Sequence, residues 1–308
     1  MKTPVSAPRA ARKPLSILLA ATLCGAVLSQ TGCIEFNRQT MAYRHDAKSD
    51  TLYIFQEFRG IYGADKKDGL SDNEVQQIQS VLDGQRTFFF ANWILEFNRE
   101  ELRKWIEKPP DSPPSPESEK AARKQYVELI RLLLDNVKIE NDPLHLDNSE
   151  QLAGTQRVTI KNLSRIVKTA NDTIHAFLQT QAESVNEDKA KLYRAAVKKR
   201  MKFIRIDGNR ISADFPLPRS IYESDFEKDE ANREFADRFR KAGGSLGHRN
   251  GTVEYRLGKP DEKITRLTMD VHSQPYSPNV LEHLRKEHKI LPKFEVAAAL
   301  EKFLRPRR

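Results

Sequence analysis

The sequence predicts an α+β fold in which antiparallel β-hairpins pack with several amphipathic helices. Three observations lead there. Short stretches rich in aromatic and β-branched residues come in pairs around turn residues. Longer stretches repeat their apolar residues every 3.6 positions. Strands and helices do not alternate one for one, and no internal repeat is present, so a parallel βαβ sheet and a solenoid are both excluded.

In chain order, TMAYRHD at 40–46 and TLYIFQEFRGIY at 51–62 read as two strands around Ala47-Lys48-Ser49-Asp50. Ser71-Asp72-Asn73-Glu74 is a capping box with Leu70 and Val75 at the staple positions, which predicts a helix over 72–83. TFFFANWIL at 87–95 reads as a buried strand. Asn98 then caps the helix REELRKWIEK, which stops at Pro109. Ser115-Pro116-Glu117 opens a helix with Tyr126, Val127, Ile130, Leu133 and Leu134 on one face. Over 162–180, Leu163, Ile166, Val167, Ala170, Ile174, Phe177 and Leu178 form a single stripe, and Asn186 caps a further helix through Tyr193 and Val197 to Met201.

The period then changes to two. FIRI at 203–206 and RISADF at 210–215 flank Asp207-Gly208 as a hairpin, and a second hairpin is expected from TVEYRLG at 252–258 with ITRLTMDVH at 264–272. Between them, acids at 225, 227, 229 and 230 and bases at 238, 240 and 241 match the dipole of a helix running from Ser224 to about Ala242. Helices over 278–289 and 293–304 close the chain.

Five of the 16 prolines fall in PPDSPPSP at 109–116. Such a run favours extended polyproline backbone, and it divides residues 33–108 from residues 117–308 either as an interdomain linker or as a long surface loop. The two sides differ in charge: 33–108 is net −2 and 109–308 is net +7. Basicity confined to the second part suits an acidic partner only if it collects on one face.

The first 14 residues carry Lys2, Arg9, Arg12 and Lys13 and no acid, and an apolar stretch from Leu15 to Leu28 follows. That is the layout of a secretory signal peptide over residues 1–32, too short for the roughly 20 residues of a spanning helix. These four bases account for much of the formal +9 of the whole chain, leaving +5 beyond them. Cys24 lies within the leader, so Cys33 is the single thiol of the exported part and has no internal disulfide partner. Ser29-Gln30-Thr31 offers an ordinary leader peptidase a competing cut.

Thr31-Gly32-Cys33 resembles the lipobox of bacterial lipoproteins, departing from it at Gln30, where an aliphatic residue is usual. The resemblance covers residues 1–33 alone. It implies acylation of Cys33, a membrane anchor and residence in the cell envelope. Ile34 after the cysteine, in place of a retention aspartate, implies the outer membrane, facing the periplasm.

Candidate chemistry is sparse. AGGSLGHRNG at 242–251 holds four of the 13 glycines; backbone amides from Gly243 to Gly251 could approach an anion, with Arg249 as clamp and His248 as general base of an envelope hydrolase. It matches no phosphate-loop pattern and reads equally as a glycine cap and connector. HLRKEH at 283–288 misses both zinc-helix spacings by one residue, so His283 and Glu287 would need an outside ligand such as His272. His45, Asp46, Lys48 and Asp50 gather at a hairpin tip, where Asx-turn chemistry accounts for the acids. Asp65-Lys66-Lys67-Asp68-Gly69 lacks calcium ligands at Ala64 and Lys66. Lys198, Lys199 and Arg200 with Lys202, and the tail Arg305-Pro306-Arg307-Arg308, could touch an anionic envelope polymer or lipid. No G-x-S-x-G elbow occurs and no cofactor is implied. The expectation is a lipid-anchored envelope protein acting by binding or structure, with a hydrolase as alternative and nucleic acid excluded as partner.

Overall fold

The computed structural model describes residues 34–63, 70–87, 97–107, 117–183, 185, 187–270 and 278–305. The chain runs β1 (Ile34–Asp46), β2 (Thr51–Gly63), α1 (Asp72–Leu82), α2 (Arg99–Glu107), α3 (Glu117–Asn136), β3 (Val137–Asn141), β4 (His145–Leu146) and β5 (Leu152–Ile160). It continues with α4 (Leu163–Gln181), α5 (Glu187–Lys198), β6 (Ile204–Asp207), β7 (Arg210–Pro216) and α6 (Arg219–Tyr222), which passes into a π-helical segment, Glu223–Lys228. Then come α7 (Glu230–Lys241), β8 (Ser245–Arg249), β9 (Thr252–Leu257), β10 (Thr265–Asp270), α8 (Pro278–Glu287) and α9 (Val296–Leu304). The class is α+β, as the sequence predicts.

Two antiparallel sheets organise these elements. The larger has the order β10-β1-β2-β5-β3, with β4 also paired to β5, and the smaller has the order β6-β7-β9-β8. One apolar cluster runs through both: Met41, Tyr43, Ile54, Phe58 and Val158 from the larger sheet join Phe203, Phe215 and Val253 from the smaller. The stripe of α4 is buried against it at Leu163, Ile166, Ala170, Ile174 and Leu178. A second cluster covers the opposite face of β1 and β2, where Leu300 and Leu304 of α9 meet Ala42 and Phe55. There the Phe303 ring stands edge-on to Tyr53, with centroids 5.7 Å apart.

Local signals act where the sequence puts them. Both bonds of the capping box form: Ser71 Oγ accepts from the Glu74 amide at 3.3 Å, and Glu74 Oε2 accepts from the Ser71 amide at 2.7 Å. Asn98 Oδ1 accepts from the Glu101 amide at 3.1 Å. The exception is α4, because Asn162 is left-handed (φ 49°) and makes no side-chain cap. Asp50, in the β1–β2 turn, caps that helix from outside by accepting from the Ser164 amide at 3.0 Å and the Ser164 hydroxyl at 2.7 Å.

Several expectations are corrected. β9 and β10 do not form a hairpin: β9 lies between β7 and β8, whereas β10 pairs with β1 in the larger sheet. Alternation of apolar residues satisfies either partner equally, so the period alone could not choose. The glycine-rich stretch is not a connector but β8 and its turn onto β9. The strands β3 and β5, which build one side of the larger sheet, were not foreseen. The helix expected from Ser224 is broken at Asp229, which is extended and caps α7 by accepting from the Asn232 amide at 2.9 Å. The proline-rich stretch does not divide the fold, since β1 and β2 from before it pair with β10 and β5 from after it. The greater part of the strand expected at 87–95 lies outside the described residues. No described helix is long and apolar enough to cross a membrane.

Candidate functional site

Strand register on the outer face of the larger sheet lines up polar residues that are remote in sequence. Directly paired residues share a face, so Asp270, Arg38, Arg59, Ala153 and His145 form one row across β10, β1, β2, β5 and β4. Thr268, Thr40, Glu57 and Thr155 form the next. α9 covers the neighbouring apolar rows and leaves this band open.

After α8, the chain adds to the sheet edge at β4. The Leu291 amide donates to Leu144 O at 2.9 Å and the Leu146 amide donates to Leu291 O at 3.0 Å. It then turns back across the outer face, which brings the Phe294 ring onto the imidazole of His145, with centroids 5.0 Å apart and planes at 34°. Between this segment and the polar band lies a cleft of about 300 Å³ bordered by Glu57, Arg59, Asp147, Asn148, Phe294 and Glu295.

The charges of the cleft are satisfied internally. Arg59 Nε donates to Glu57 Oε1 at 2.7 Å, and Lys293 Nζ lies 3.0 Å from Glu295 Oε1. Asp147 Oδ1 accepts from the Ser149 amide at 2.8 Å and the Gln151 amide at 3.0 Å, closing an Asx turn. Like charges opposite one another destabilise a sheet. Arg38 and Arg59 stand in that relation, and each is offset by its own carboxylate, Asp270 at 2.6 Å for Arg38. That hydrogen bond holds the Arg38 guanidinium above its ordinary pKa, reinforced by the Asp270 charge. His145 is 2 % exposed, and its Nδ1 lies 3.1 Å from the Pro143 carbonyl. A carbonyl can only accept, so Nδ1 carries the proton and Nε2 is the acceptor in the neutral ring. Fixed donors and acceptors beside an aromatic ring are the equipment of recognition; neither serine nor cysteine borders the cleft to act as a nucleophile.

The residues singled out from sequence do not assemble. His248 and Arg249 are consecutive on β8 and point to opposite faces. His248 turns inward, with its Nε2 2.7 Å from the Leu217 carbonyl and its ring 5.1 Å from that of Tyr222. Arg249 is exposed on the other side. Nearby, the Arg219 hydrogen bond holds the Glu223 carboxyl below its ordinary pKa, with Lys228 and His248 contributing. Lys198, Lys199 and Arg200 end α5, and the Arg200 and Met201 amides are used in closing the helix, donating to Val197 O and Ala196 O at 3.0 Å each. No backbone cradle for an anion is left there. His45 and Asp50 hold the fold together, since the His45 amide donates to Asn209 Oδ1 at 2.7 Å. Among the described residues, no group of three or more His, Cys, Asp and Glu side chains could hold a metal ion. His272, the side chains of His283 and Glu287, residues 65–69, the tail beyond Arg305, and Cys33 with its leader lie outside the described residues.

Sequence reasoning missed the cleft because it is assembled by register. It also passed over Asn250-Gly251, the two-residue loop between β8 and β9, whose φ values of 52° and 75° are those an Asn-Gly hairpin turn requires. No protein-family model, no curated protein and no solved structure matches the chain.

Proposed function

We propose that the chain is a lipid-anchored protein of the bacterial cell envelope whose body acts by binding or as structure, not by catalysis. The observation that carries this reading is where the leader pattern ends. Cys33 closes the lipobox-like stretch, and the next residue, Ile34, is already 3 % exposed in β1 and paired with Gly63. A cut before Cys33 would leave the fold whole and its single thiol acylated. Ile34 at the position after the cysteine favours the outer membrane, with the body facing the periplasm and its partners among envelope proteins or envelope polymers. Binding is supported by the cleft at Glu57, Arg59 and Phe294, where charges are already paired and no nucleophile borders the space. The hydrolase reading has no comparable support, since His248 and Arg249 diverge on β8.

Intact-mass analysis of the protein from the membrane fraction tests the anchor. A mature mass beginning at Cys33 with acyl chains added is expected, and Cys33→Ser should remain unprocessed. An unmodified soluble product would overturn the reading.

A further inference from the structure

We propose that the cleft between β2, β4 and the segment before α9 takes a saccharide, a neutral polyhydroxylated ring held by hydrogen bonds and stacked on Phe294. This rests on the binding reading above and adds the chemical class of the ligand. The argument begins with charge. Glu57 is paired with Arg59 at 2.7 Å and Lys293 with Glu295 at 3.0 Å, so an ionic ligand would have to displace an internal partner. A neutral ligand need not.

Each ion pair also sets a donor beside an acceptor on a fixed frame. Arg59 offers Nε to Glu57 and keeps the rest of its five-donor fork, with its side chain 40 % exposed. Adjacent hydroxyls of a sugar each donate and accept, so a carboxylate next to a guanidinium meets a vicinal diol with both partners in place. The carboxylates of Glu57 and Asp147 are themselves held, the first on a strand and the second by its own turn, which keeps the ordering cost of binding low.

The aromatic ring supplies the remaining contact. Phe294 is half-buried and braced by His145, so its orientation is set before a ligand arrives. Its face carries the negative part of the ring quadrupole and suits the polarised C–H groups on one face of a pyranose. A volume of about 300 Å³ is at the small end for ligand sites, matching one or two sugar rings and not a long chain lying along the sheet.

The test uses the full-length protein in a detergent without a sugar headgroup, titrated with glucose, N-acetylglucosamine and the N-acetylglucosamine tetramer by saturation-transfer NMR and calorimetry. At least one should bind with a Kd of about 1 mM or tighter. Phe294→Leu keeps an apolar side chain but removes the ring face, and should weaken binding about tenfold without lowering the melting temperature. Asn148→Arg, at an exposed position bordering the cleft, should abolish binding by filling it. Tighter binding of the tetramer than of the monomers would identify a glycan polymer as the source, and equal binding would identify a free sugar. Absence of binding by all three at about 50 mM would overturn the proposal. So would binding indifferent to both variants. If the zwitterionic dipeptide alanyl-glutamate binds where the sugars do not, the saccharide class fails while the binding reading stands.

Discussion

The Tyr43 hydroxyl of β1 donates to the Asn209 carbonyl, 2.8 Å away in the turn between β6 and β7. This bond joins the larger sheet to the smaller. Tyr43 is fully buried, and the space around it is closed by Gly258, where an added Cβ would stand 2.6 Å from the Tyr43 hydroxyl. Gly258 has φ of 68°, so it is needed for conformation as well as room, and it is the point at which the chain leaves the smaller sheet toward β10. Tyr43→Phe keeps the ring and removes the bond, leaving a buried carbonyl short of one donor. It should lower stability by about 1–2 kcal/mol in urea unfolding. A value near zero would mean that the sheets are held by apolar contact alone.

The same burial predicts alkaline behaviour. Burial pushes the Tyr43 phenol well above its ordinary value of 10.0, and burial raises Tyr62, Tyr126 and Tyr193 as well. Each therefore releases its proton more readily when unfolded. Their contribution is complete below the unfolded pKa of about 10 and is lost as pH rises toward the folded values. Urea midpoints should be flat between about pH 8 and 9.5 and fall above about pH 10. Tyr43→Phe should make that fall shallower.

Asp50 shows how a turn can cap a helix that follows it by more than a hundred residues. Its carboxylate holds the Ser164 amide at 3.0 Å and the Ser164 hydroxyl at 2.7 Å, and its carbonyl accepts from the Leu163 amide at 3.1 Å. Asp50→Ala removes the side-chain bonds and leaves a methyl group at φ of 48°, a conformation Asp and Asn tolerate better than Ala. A loss of about 1–2 kcal/mol is expected, against under about 0.5 kcal/mol for Asp50→Asn, which keeps an acceptor and the tolerance for that φ. Equal losses for the two variants would assign the effect to charge and not to the cap.

These residues also mark how far the sequence could be read. The Ser71–Glu74 box was legible because every atom in it lies within one turn of chain. Asp207-Gly208 marked its hairpin for the same reason, and Asn250-Gly251 carried an equal signal that was outweighed by the surrounding glycines. β5 gave no clear period: Gly154, Thr155 and Gln156 sit fully inside the sheet, so polar and small letters stand where alternation expects apolar ones. Partner choice was beyond local reading, because Leu267 and Met269 alternate as well against β9 as against Gln39 and Met41 of β1. The cleft is the extreme case. Arg59, His145 and Phe294 have no motif around them and meet only once five strands have found their register.

Arg200 occupies a position that suits glycine. The Met201 amide donates to Ala196 O and the Arg200 amide to Val197 O, both at 3.0 Å, which is the Schellman pair closing α5, and Arg200 sits at its left-handed site with φ of 47°. A Cβ in that conformation is strained by about 1 kcal/mol, partly offset in glycine by its looser unfolded chain. Arg200→Gly should therefore raise stability by about 0.5–1 kcal/mol. Arg200→Ala removes the charge and keeps the Cβ, so it should give no gain. If Ala stabilised as much as Gly, the strain would lie in charge repulsion with Lys198, Lys199 and Lys202.

Glu223 begins the π-helical segment, and its carboxylate accepts from Arg219 Nε at 2.7 Å, while Arg219 reaches Glu227 with its other arm at 2.8 Å. The hydrogen bond to Arg219, with the Arg219 and Lys228 charges and His248, holds the Glu223 carboxyl below its ordinary value of 4.5. A carboxyl that is more acidic when folded stabilises the fold above its unfolded pKa, and that contribution disappears as pH falls through the folded value. Carbon NMR of the labelled side chain should therefore give a Glu223 midpoint below about 4.3, and Arg219→Gln should move it upward. The π-turn should loosen in the same acid range, seen as faster amide exchange at Phe226, Glu227 and Lys228 relative to α7. A Glu223 midpoint unmoved by Arg219→Gln would show that the segment is held by the ring stack of Tyr222 on Phe226, with centroids 5.3 Å apart, and not by its ion pair.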